Sequence, residues 1–287
     1  MTSPLARSSA IALCIAALWS CASGNAPPSP SATAAPSPAP ATVPASAQAV
    51  PTSSAHPRPE PVLRNGMVLI PAGEFLMGSA DDDPLVYPWE KAHEQPQHPV
   101  YLNAYYIDRH EVTNAEYGAV DPKHARNTKV SPCDDCPVDE VTWFEAQAYC
   151  AGQQPPKRLP TEAEWEKAAK GGEPSGTPRN PVLLDQYAWF AKNSIERTQP
   201  VAQKAVNGYS LSDMLGNVRE WTADWYDPIY YKLKVRDNPK GPAEGVRRVE
   251  RGGAFFLPHR GVTTTIRYNH PPHFRLYFLG FRCAQDP

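Results

Sequence analysis

The stretch from residue 22 to residue 61 constrains this chain most, because it cannot fold by itself. It consists mainly of Pro, Ala, Ser and Thr and contains no Leu, Ile, Phe, Trp or Tyr. Such a segment cannot bury enough apolar surface to offset the entropy lost on ordering. We therefore predict an extended, partly polyproline tether over 22–61, and one large folded domain over 62–287.

An export signal is predicted before the tether, over residues 1–21. An apolar run follows Arg7 and is too short to span a bilayer, as in the hydrophobic part of a signal peptide. The run ends in Leu18-Trp19-Ser20-Cys21, which resembles a bacterial lipobox. We expect Cys21 to be lipidated and the chain to be an outer-membrane or cell-surface lipoprotein, with the membrane as a partner through the anchor. The alternative is an ordinary secretory signal that is cut nearby.

Local patterns in the domain predict short helices and short strands. Capping boxes, in which Thr and a Glu three residues later satisfy each other's backbone N–H groups, occur at Thr113–Glu116, Thr142–Glu145 and Thr161–Glu164. The third helix should end at Gly171 and bury a stripe that contains Trp165. Two strands should flank the turn at 71–73. The formal net charge of −2 gives no reason to expect nucleic acid as a partner.

Six segments, in the same order along the chain, together resemble the formylglycine-generating enzyme (sulfatase-modifying-factor) family. They are Met67–Ser79, Ile107–Asn114, Lys157–Glu166, Asp213–Trp221, Arg251–Gly253 and Gly280–Cys283. The resemblance implies an α+β domain with a C-type-lectin-like core. Such a domain is rich in loops and has little regular secondary structure.

The cysteines of the domain are interpreted as structural. Cys133 and Cys136 have the C-x-x-C spacing, which is compatible with a redox pair, half of a zinc site or a small disulfide. Prolines on both sides indicate a loop and favour the disulfide in an exported protein. The family resemblance implies a second disulfide between Cys150 and Cys283.

The segment after Arg251-Gly252-Gly253 lacks the residues that give the family its activity. The resemblance implies two cysteines here, which bind Cu(I) and activate dioxygen to oxidise a substrate cysteine. An ungapped register places Leu257 and Val262 at these positions, and a shift by one residue places Pro258 and Thr263 there. None of the four can bind Cu(I). We therefore expect no copper, and whether the chain is an enzyme is left open.

One alternative keeps the chain an oxidoreductase of the family. His259, His270 and His273 are imidazole ligands that suit Fe(II) or Cu(II), and Glu250 or Asp286 would supply a carboxylate. The other interpretation of these histidines is that they contact a ligand or pack in the loops.

Calcium is the cofactor that the resemblance favours. Hard oxygen ligands in an irregular, glycine-containing loop suit Ca²⁺. The resemblance implies ligands at the side chains of Asp213 and Glu220 and the main-chain oxygens of Gly216 and Val218. It also implies a second calcium that begins at Asn193 and Ser194, although this sequence shortens the loop that holds its other ligands. Without an ion, the first segment would be a hydrogen-bonded turn capped by Glu220.

The C-terminal loops are rich in aromatic and basic residues, which are typical contact residues. We expect these residues to line the groove in which the family's enzymes bind substrate peptide: Phe255, Phe256, His259, Arg260, Arg267, Tyr268, His270 and His273. Of the two adjacent phenylalanines, one should be buried and the other exposed. The sequence thus predicts a binding or scaffold module for a protein, peptide or glycan. A maturation factor for another exported protein fits the same features.

Overall fold

The computed structural model describes residues 61–173 and 181–287. The predicted signal peptide and all but the last residue of the tether lie outside these ranges, and both stay predictions. None of the helices within them is long and apolar enough to cross a membrane. The helices are α1 (Lys91–Glu94), α2 (Asn114–Val120), α3 (Trp143–Gly152), α4 (Glu162–Lys170) and α5 (Pro181–Tyr187). The strands are β1 (Leu63–Arg64), β2 (Met67–Ile70), β3 (Gly73–Met77), β4 (His98–Leu102), β5 (Tyr105–Asp108), β6 (Arg219–Trp225), β7 (Arg248–Arg251), β8 (Tyr268–His270), β9 (Leu279–Gly280) and β10 (Ala284–Gln285).

Each of the three predicted capping boxes begins a helix. Thr113, Thr142 and Thr161 precede α2, α3 and α4, and in each case the Thr side chain accepts a hydrogen bond from the backbone N–H three residues later. Helix α4 ends at Gly171, which has a φ of 61°, the left-handed conformation that glycine adopts without strain. These helices are therefore specified locally.

Helix α4 is buried on every side, which its sequence does not indicate. All residues from Glu162 to Lys170 are buried, although five of them are charged. Lys167 donates hydrogen bonds to the carbonyl oxygens of Pro71 and Gly73, at 2.7 and 2.9 Å. Because charges are buried only when they are paired, α4 forms the centre of a polar network that joins distant segments.

Strands β2 and β3 flank the predicted turn but do not pair with each other. β2 lies between β1 and β5 in a four-stranded antiparallel sheet that ends with β10, whereas β3 and β4 form a separate two-stranded sheet within the described residues. Apolar side chains of β2, β4 and β5 pack against Trp165 of α4 to form one core cluster. The domain has the expected α+β character, with short elements joined by long loops.

The third sheet, in the order β8-β7-β6-β9, positions the candidate site. β6, β7 and β8 are antiparallel neighbours, and β9 runs parallel to β6. Because side chains alternate along a strand, Arg219, Glu250 and His270 lie on one face. Glu220 and Arg251 lie on the opposite face, where both are fully buried.

Both predicted disulfides are present. One joins Cys133 to Cys136 within a loop, and the other joins Cys150 of α3 to Cys283, between β9 and β10. Cys150 and Cys283 are fully buried in a second core cluster, which contains Trp221 and Phe281. The longer bridge thus fixes α3 to the C-terminal strands.

Candidate functional site

The loop after β7 is held by the arginine that ends the strand. Arg251 is fully buried. Its guanidinium donates to Glu166 of α4 at 2.5 Å and to the Ile266 carbonyl at 2.6 Å. A Cβ atom at Gly253 would lie 2.4 Å from the Gly261 carbonyl oxygen, so only glycine permits this close approach. The chain therefore leaves β7, makes a compact loop and returns beside its own start.

An apolar cluster occupies the positions that the family resemblance gives to the copper-binding cysteines. Val262 is fully buried among Leu184, Phe190 and Leu215, and the half-buried Leu257 packs against the same cluster. The register shifted by one residue also provides no copper ligand. Pro258 is exposed, and the Thr263 hydroxyl accepts from the Ile266 N–H at 3.1 Å.

Six rings on the C-terminal loops form a continuous set of contacts, which we call the aromatic surface: Phe256, His270, His273, Phe274, Tyr277 and Phe278. The centroids of neighbouring rings are 5.0–6.4 Å apart, as is usual for favourable aromatic pairs. Phe274 and Tyr277 are 40% and 44% exposed. Large apolar rings held together at the surface are typical of a contact site.

A buried carboxylate orients one ring of this surface. Glu250 is fully buried, and its Oε1 lies 2.6 Å from Nδ1 of His270. Arg219 approaches the other oxygen of Glu250 at 3.4 Å. The Arg219 guanidinium carbon lies 3.5 Å from the Tyr268 ring centroid, a cation–π contact. Because the imidazole is held through Nδ1, Nε2 is the ring nitrogen left for a ligand.

The structure places most of the predicted groove residues together, but the prediction that Arg267 lines the groove is wrong. Arg267 is buried, and its guanidinium donates two hydrogen bonds to Glu162, at 2.6 and 2.8 Å. It belongs to the interior network because a buried carboxylate requires a paired cation. Of the two phenylalanines, Phe255 is buried and Phe256 is half-buried, so neither is fully exposed.

The three C-terminal histidines lie in two different local environments. His270 and His273 both contact the Phe274 ring, at centroid distances of 5.9 and 5.0 Å, and His259 lies in a 3₁₀ turn. Over residues 61–173 and 181–287, no three His, Cys, Asp or Glu side chains form a group that could hold a metal ion.

The residues predicted for the first calcium border a cluster of buried carboxylates. Glu220 accepts hydrogen bonds from Arg282 at 2.7 Å to each of its oxygens. Asp213 accepts from the Ala202 N–H at 2.6 Å through Oδ2, while its buried Oδ1 has no hydrogen-bond partner within the described chain. Burial, followed by the charges of Asp213 and Glu220, raises the pKa of Glu111 well above its ordinary value. Burial also raises the pKa of Asp213.

The residues predicted for the second calcium are engaged in other contacts. The Asn193 side chain accepts from the Phe190 N–H at 2.9 Å and donates to the Ala188 carbonyl at 3.0 Å. The Ser194 carbonyl accepts from the Gln199 side-chain amide at 2.7 Å. The polar atoms are thus satisfied by the protein, and these contacts give no support to a second ion.

Sequence reasoning missed several members of the site. Arg219, Phe274 and Tyr277 were not predicted to belong to it. Nor was the stacked pair Tyr87 and Trp89, whose ring centroids are 4.7 Å apart. Arg260 connects this pair to the C-terminal loops, since its guanidinium carbon lies 5.6 Å from the Tyr87 centroid. Alternation along β6 and β8 is the signal that would have revealed Arg219, whereas nothing local marks Tyr87 and Trp89.

Comparison with known proteins shows extended similarity over the folded part of the chain. Residues 53–287 match the family model described as the sulfatase-modifying factor enzyme 1-like domain. The formylglycine-generating enzyme of Streptomyces coelicolor is 32% identical over an alignment of 304 positions, which covers 82% of this chain and 94% of that enzyme. The serine/threonine-protein kinase pkn1 of Chlamydia pneumoniae is 33% identical over an alignment of 255 positions. That match covers 80% of this chain, which spans 39% of the kinase's length.

A solved structure shows the same fold. Treponema denticola variable protein 1 superposes with a TM-score of 0.68 at 29% sequence identity. The superposition covers 77% of this chain and 95% of the variable protein.

Proposed function

The chain belongs to the sulfatase-modifying factor enzyme 1-like domain family, and from this premise we propose that it is an exported binding module. The domain would be held at the membrane by a lipid on Cys21 and spaced from it by the tether. The aromatic surface would bind a ligand. In this proposal the domain does not carry out copper-dependent formylglycine synthesis.

The packing at Leu257 and Val262 is the observation that carries the proposal. Both side chains belong to an apolar cluster, and aliphatic carbon cannot coordinate Cu(I), which requires soft sulfur ligands. All four cysteines in the described residues are joined in disulfides. The chemistry that the family resemblance implies therefore lacks its thiols at this site.

Exposure and rigidity support binding at the aromatic surface. Phe274 and Tyr277 leave about two fifths of their area in contact with water, although each contacts at least one other ring. Rigid aromatic side chains lose little conformational entropy when a ligand covers them, and they are common at the energetic centres of interfaces. Export is supported by the two disulfides, since such bonds persist in oxidising compartments.

We further propose one structural calcium ion at Asp213. Glu111, Asp213 and Glu220 are buried, and among residues 61–173 and 181–287 the only cation bonded to one of them is Arg282. Three carboxylates and one guanidinium leave an excess of negative charge, which either protons or a divalent cation must balance. Both oxygens of Glu220 already accept from Arg282, and those of Glu111 accept from Asn217 and the Val218 N–H. The unpartnered Oδ1 of Asp213 is therefore the side-chain oxygen that would bind calcium, with backbone carbonyls of the loop completing the oxygen donors.

An oxidation assay tests the central claim. We would incubate the purified domain with Cu(I), dioxygen and a peptide that contains Cys-x-Pro-x-Arg, and measure aldehyde formation. We expect none from the wild type. The double variant Leu257→Cys/Val262→Cys is the matched control and should gain Cu(I) binding. Aldehyde formed by the wild type would refute the proposal.

Metal analysis separates the proposal from the family oxidoreductase that uses another metal. Protein purified without chelators should contain calcium and neither iron nor copper. Stoichiometric iron or copper that disappears in the variant His259→Ala/His273→Ala would instead favour the oxidoreductase.

A further inference from the structure

Strand β8 is an open edge next to the aromatic surface. Among the strands of residues 61–173 and 181–287, it is the outer strand of its sheet and pairs with β7 alone. Within the described residues, no backbone hydrogen bond outside that ladder involves Tyr268, Asn269 or His270. Such an edge presents N–H and C=O groups that can pair with another extended chain.

The side chains beside this edge match an extended peptide. Alternate residues of a strand added to β8 would lie on the face that carries Tyr268 and His270. Phe274 and Tyr277 lie next to this face through the ring contacts described above. An added strand would thus gain backbone hydrogen bonds at the edge and ring contacts at alternate side chains.

One exposed cation next to strand β8 has no carboxylate partner among the described residues. Arg260 is exposed and forms no ion pair with any described residue. It lies near β8, because the Tyr268 hydroxyl donates a hydrogen bond to the carbonyl oxygen of the next residue, Gly261, at 3.0 Å. Glu250, which orients His270, is fully buried and already contacts Arg219 and His270. Glu90 and Glu94 also act on Tyr268, but burial raises the pKa of both carboxyl groups and so disfavours their charged forms. A carboxylate on the ligand can therefore pair with the exposed guanidinium of Arg260.

We propose that this surface binds an acidic, extended segment of a partner protein, which adds to β8 as a strand. Its aromatic or apolar side chains cover Phe274 and Tyr277, and its carboxylates are received by Arg260. Nε2 of His270, held in place by Glu250, forms a hydrogen bond to the segment. The inference rests on the proposed binding function and specifies the class of ligand.

Binding of designed peptides tests the inference. The probes are a fluorescent peptide in which aromatic residues alternate with glutamate, its lysine-for-glutamate counterpart, and the acidic peptide with alternate backbone nitrogens methylated. Fluorescence anisotropy with the full domain measures the affinities. We expect the acidic peptide to bind at least about tenfold more tightly than the lysine peptide and than the methylated peptide. Polygalacturonate, an anionic saccharide, should compete weakly or not at all.

Point variants test whether the peptides bind at the aromatic surface and at Arg260. Arg260→Glu, an exposed position that should not affect folding, is expected to reverse the preference between the acidic and the basic peptide. Lys123→Glu, at another exposed cation, should leave the preference unchanged. Phe274→Ser should weaken both peptides about equally, because the ring contributes no charge.

Each contrary result has a separate meaning. Equal or tighter binding of the basic peptide would overturn the acidic class and leave the binding function standing. Unchanged affinity after backbone methylation would overturn strand addition. Binding of polygalacturonate alone would replace the peptide by a glycan, and no binding of any probe would refute the inference. The proposed function is judged separately by the oxidation assay.

Discussion

Two buried aspartates show how one residue type serves different purposes. Asp213 and Asp139 are 2% and 0% exposed. Oδ1 of Asp213 and both carboxylate oxygens of Asp139 have no hydrogen-bond partner within the described residues. Asp213 lies in a cluster with Glu220 and the guanidinium of Arg282, where a cation would balance the excess negative charge. The charged group that influences Asp139 is another acid, Glu140. A proton is therefore the simplest way to neutralise Asp139.

Calcium should stabilise the wild type but not the variant Asp213→Asn. A ligand that binds only the folded state at about 100 times its dissociation constant adds about 2.7 kcal/mol to the free energy of unfolding. We would measure thermal midpoints in calcium and in a calcium chelator. The wild type should shift by several degrees and Asp213→Asn by much less, while the exposed control Asp81→Asn should follow the wild type. Equal shifts in all three proteins would remove Asp213 from the site.

Asp139 should make the domain less stable as pH rises. Burial, followed by the charge of Glu140, raises the pKa of Asp139 from 3.8 to about 8. A raised pKa means that the folded state favours the protonated acid. The stability that the protonated Asp139 contributes is therefore complete below pH 3.8 and is lost as pH rises to about 8. The loss is on the order of a few kcal/mol.

The variant Asp139→Asn cannot ionise and should not show this loss. Urea unfolding at pH 5 and pH 8 would measure the free energy of unfolding of both proteins. Relative to the wild type, Asp139→Asn should gain stability at the higher pH, whereas Asp81→Asn should not. Parallel pH dependence of wild type and Asp139→Asn would show that the carboxyl is ionised in the fold without penalty.

At the scale of elements, helix caps are the local devices that set where helices begin. Replacing the capping side chain in Thr142→Ala should lower the free energy of unfolding by about 1 kcal/mol, because a helix N–H loses its partner. Thr142→Ser retains the hydroxyl and is the matched control, with a smaller loss. Urea denaturation would measure both. Equal losses in the two variants would assign the effect to the lost methyl group and not to the cap.

The contrast between caps and strands explains what the sequence could predict. A capping box involves residues three positions apart, so all three helix starts were read correctly. The partners of β2 and β3 are distant in sequence, and both strands were predicted without them. Arg267 was misplaced for the same reason, since its partner Glu162 is 105 positions away. Composition alone made it resemble the exposed Arg260.

The same contrast between local and distant signals applies to the candidate site. Phe256, Arg260 and His273 were predicted from the richness of one segment in aromatic and basic residues, and all three are at least partly exposed. The contributions of Arg219 and Tyr87 come from separate parts of the chain, and only folding brings them to the C-terminal loops. Sequence patterns thus identified the segment that carries the site but not its full set of contacts.

The whole molecule relies on links between distant segments, because its elements are short. Buried ion pairs join Glu162 and Glu166 of α4 to Arg267 and Arg251, and join β6 to Arg282 through Glu220. Such pairs are costly to break singly, since the remaining charge stays buried without a partner. We infer that the ion pairs help to specify which segments meet, whereas the disulfides restrict the unfolded chain.

The two disulfides should differ in what they contribute to the stability of the molecule. Cys150 and Cys283 are 133 positions apart, whereas Cys133 and Cys136 are separated by three. In the chain-entropy account, closing the longer loop stabilises the fold by about 5 kcal/mol and the shorter by about 2 kcal/mol. The double variants Cys150→Ser/Cys283→Ser and Cys133→Ser/Cys136→Ser, each compared with the wild type by urea unfolding, measure the two contributions. We expect Cys150→Ser/Cys283→Ser to lose more stability. Because its C-terminal strands are then less firmly held, this variant should also lose binding of the acidic peptide at the aromatic surface. If the short bridge proved equally important, chain entropy could not be the reason, and the loop around Cys133 would have to hold contacts that matter to the whole fold.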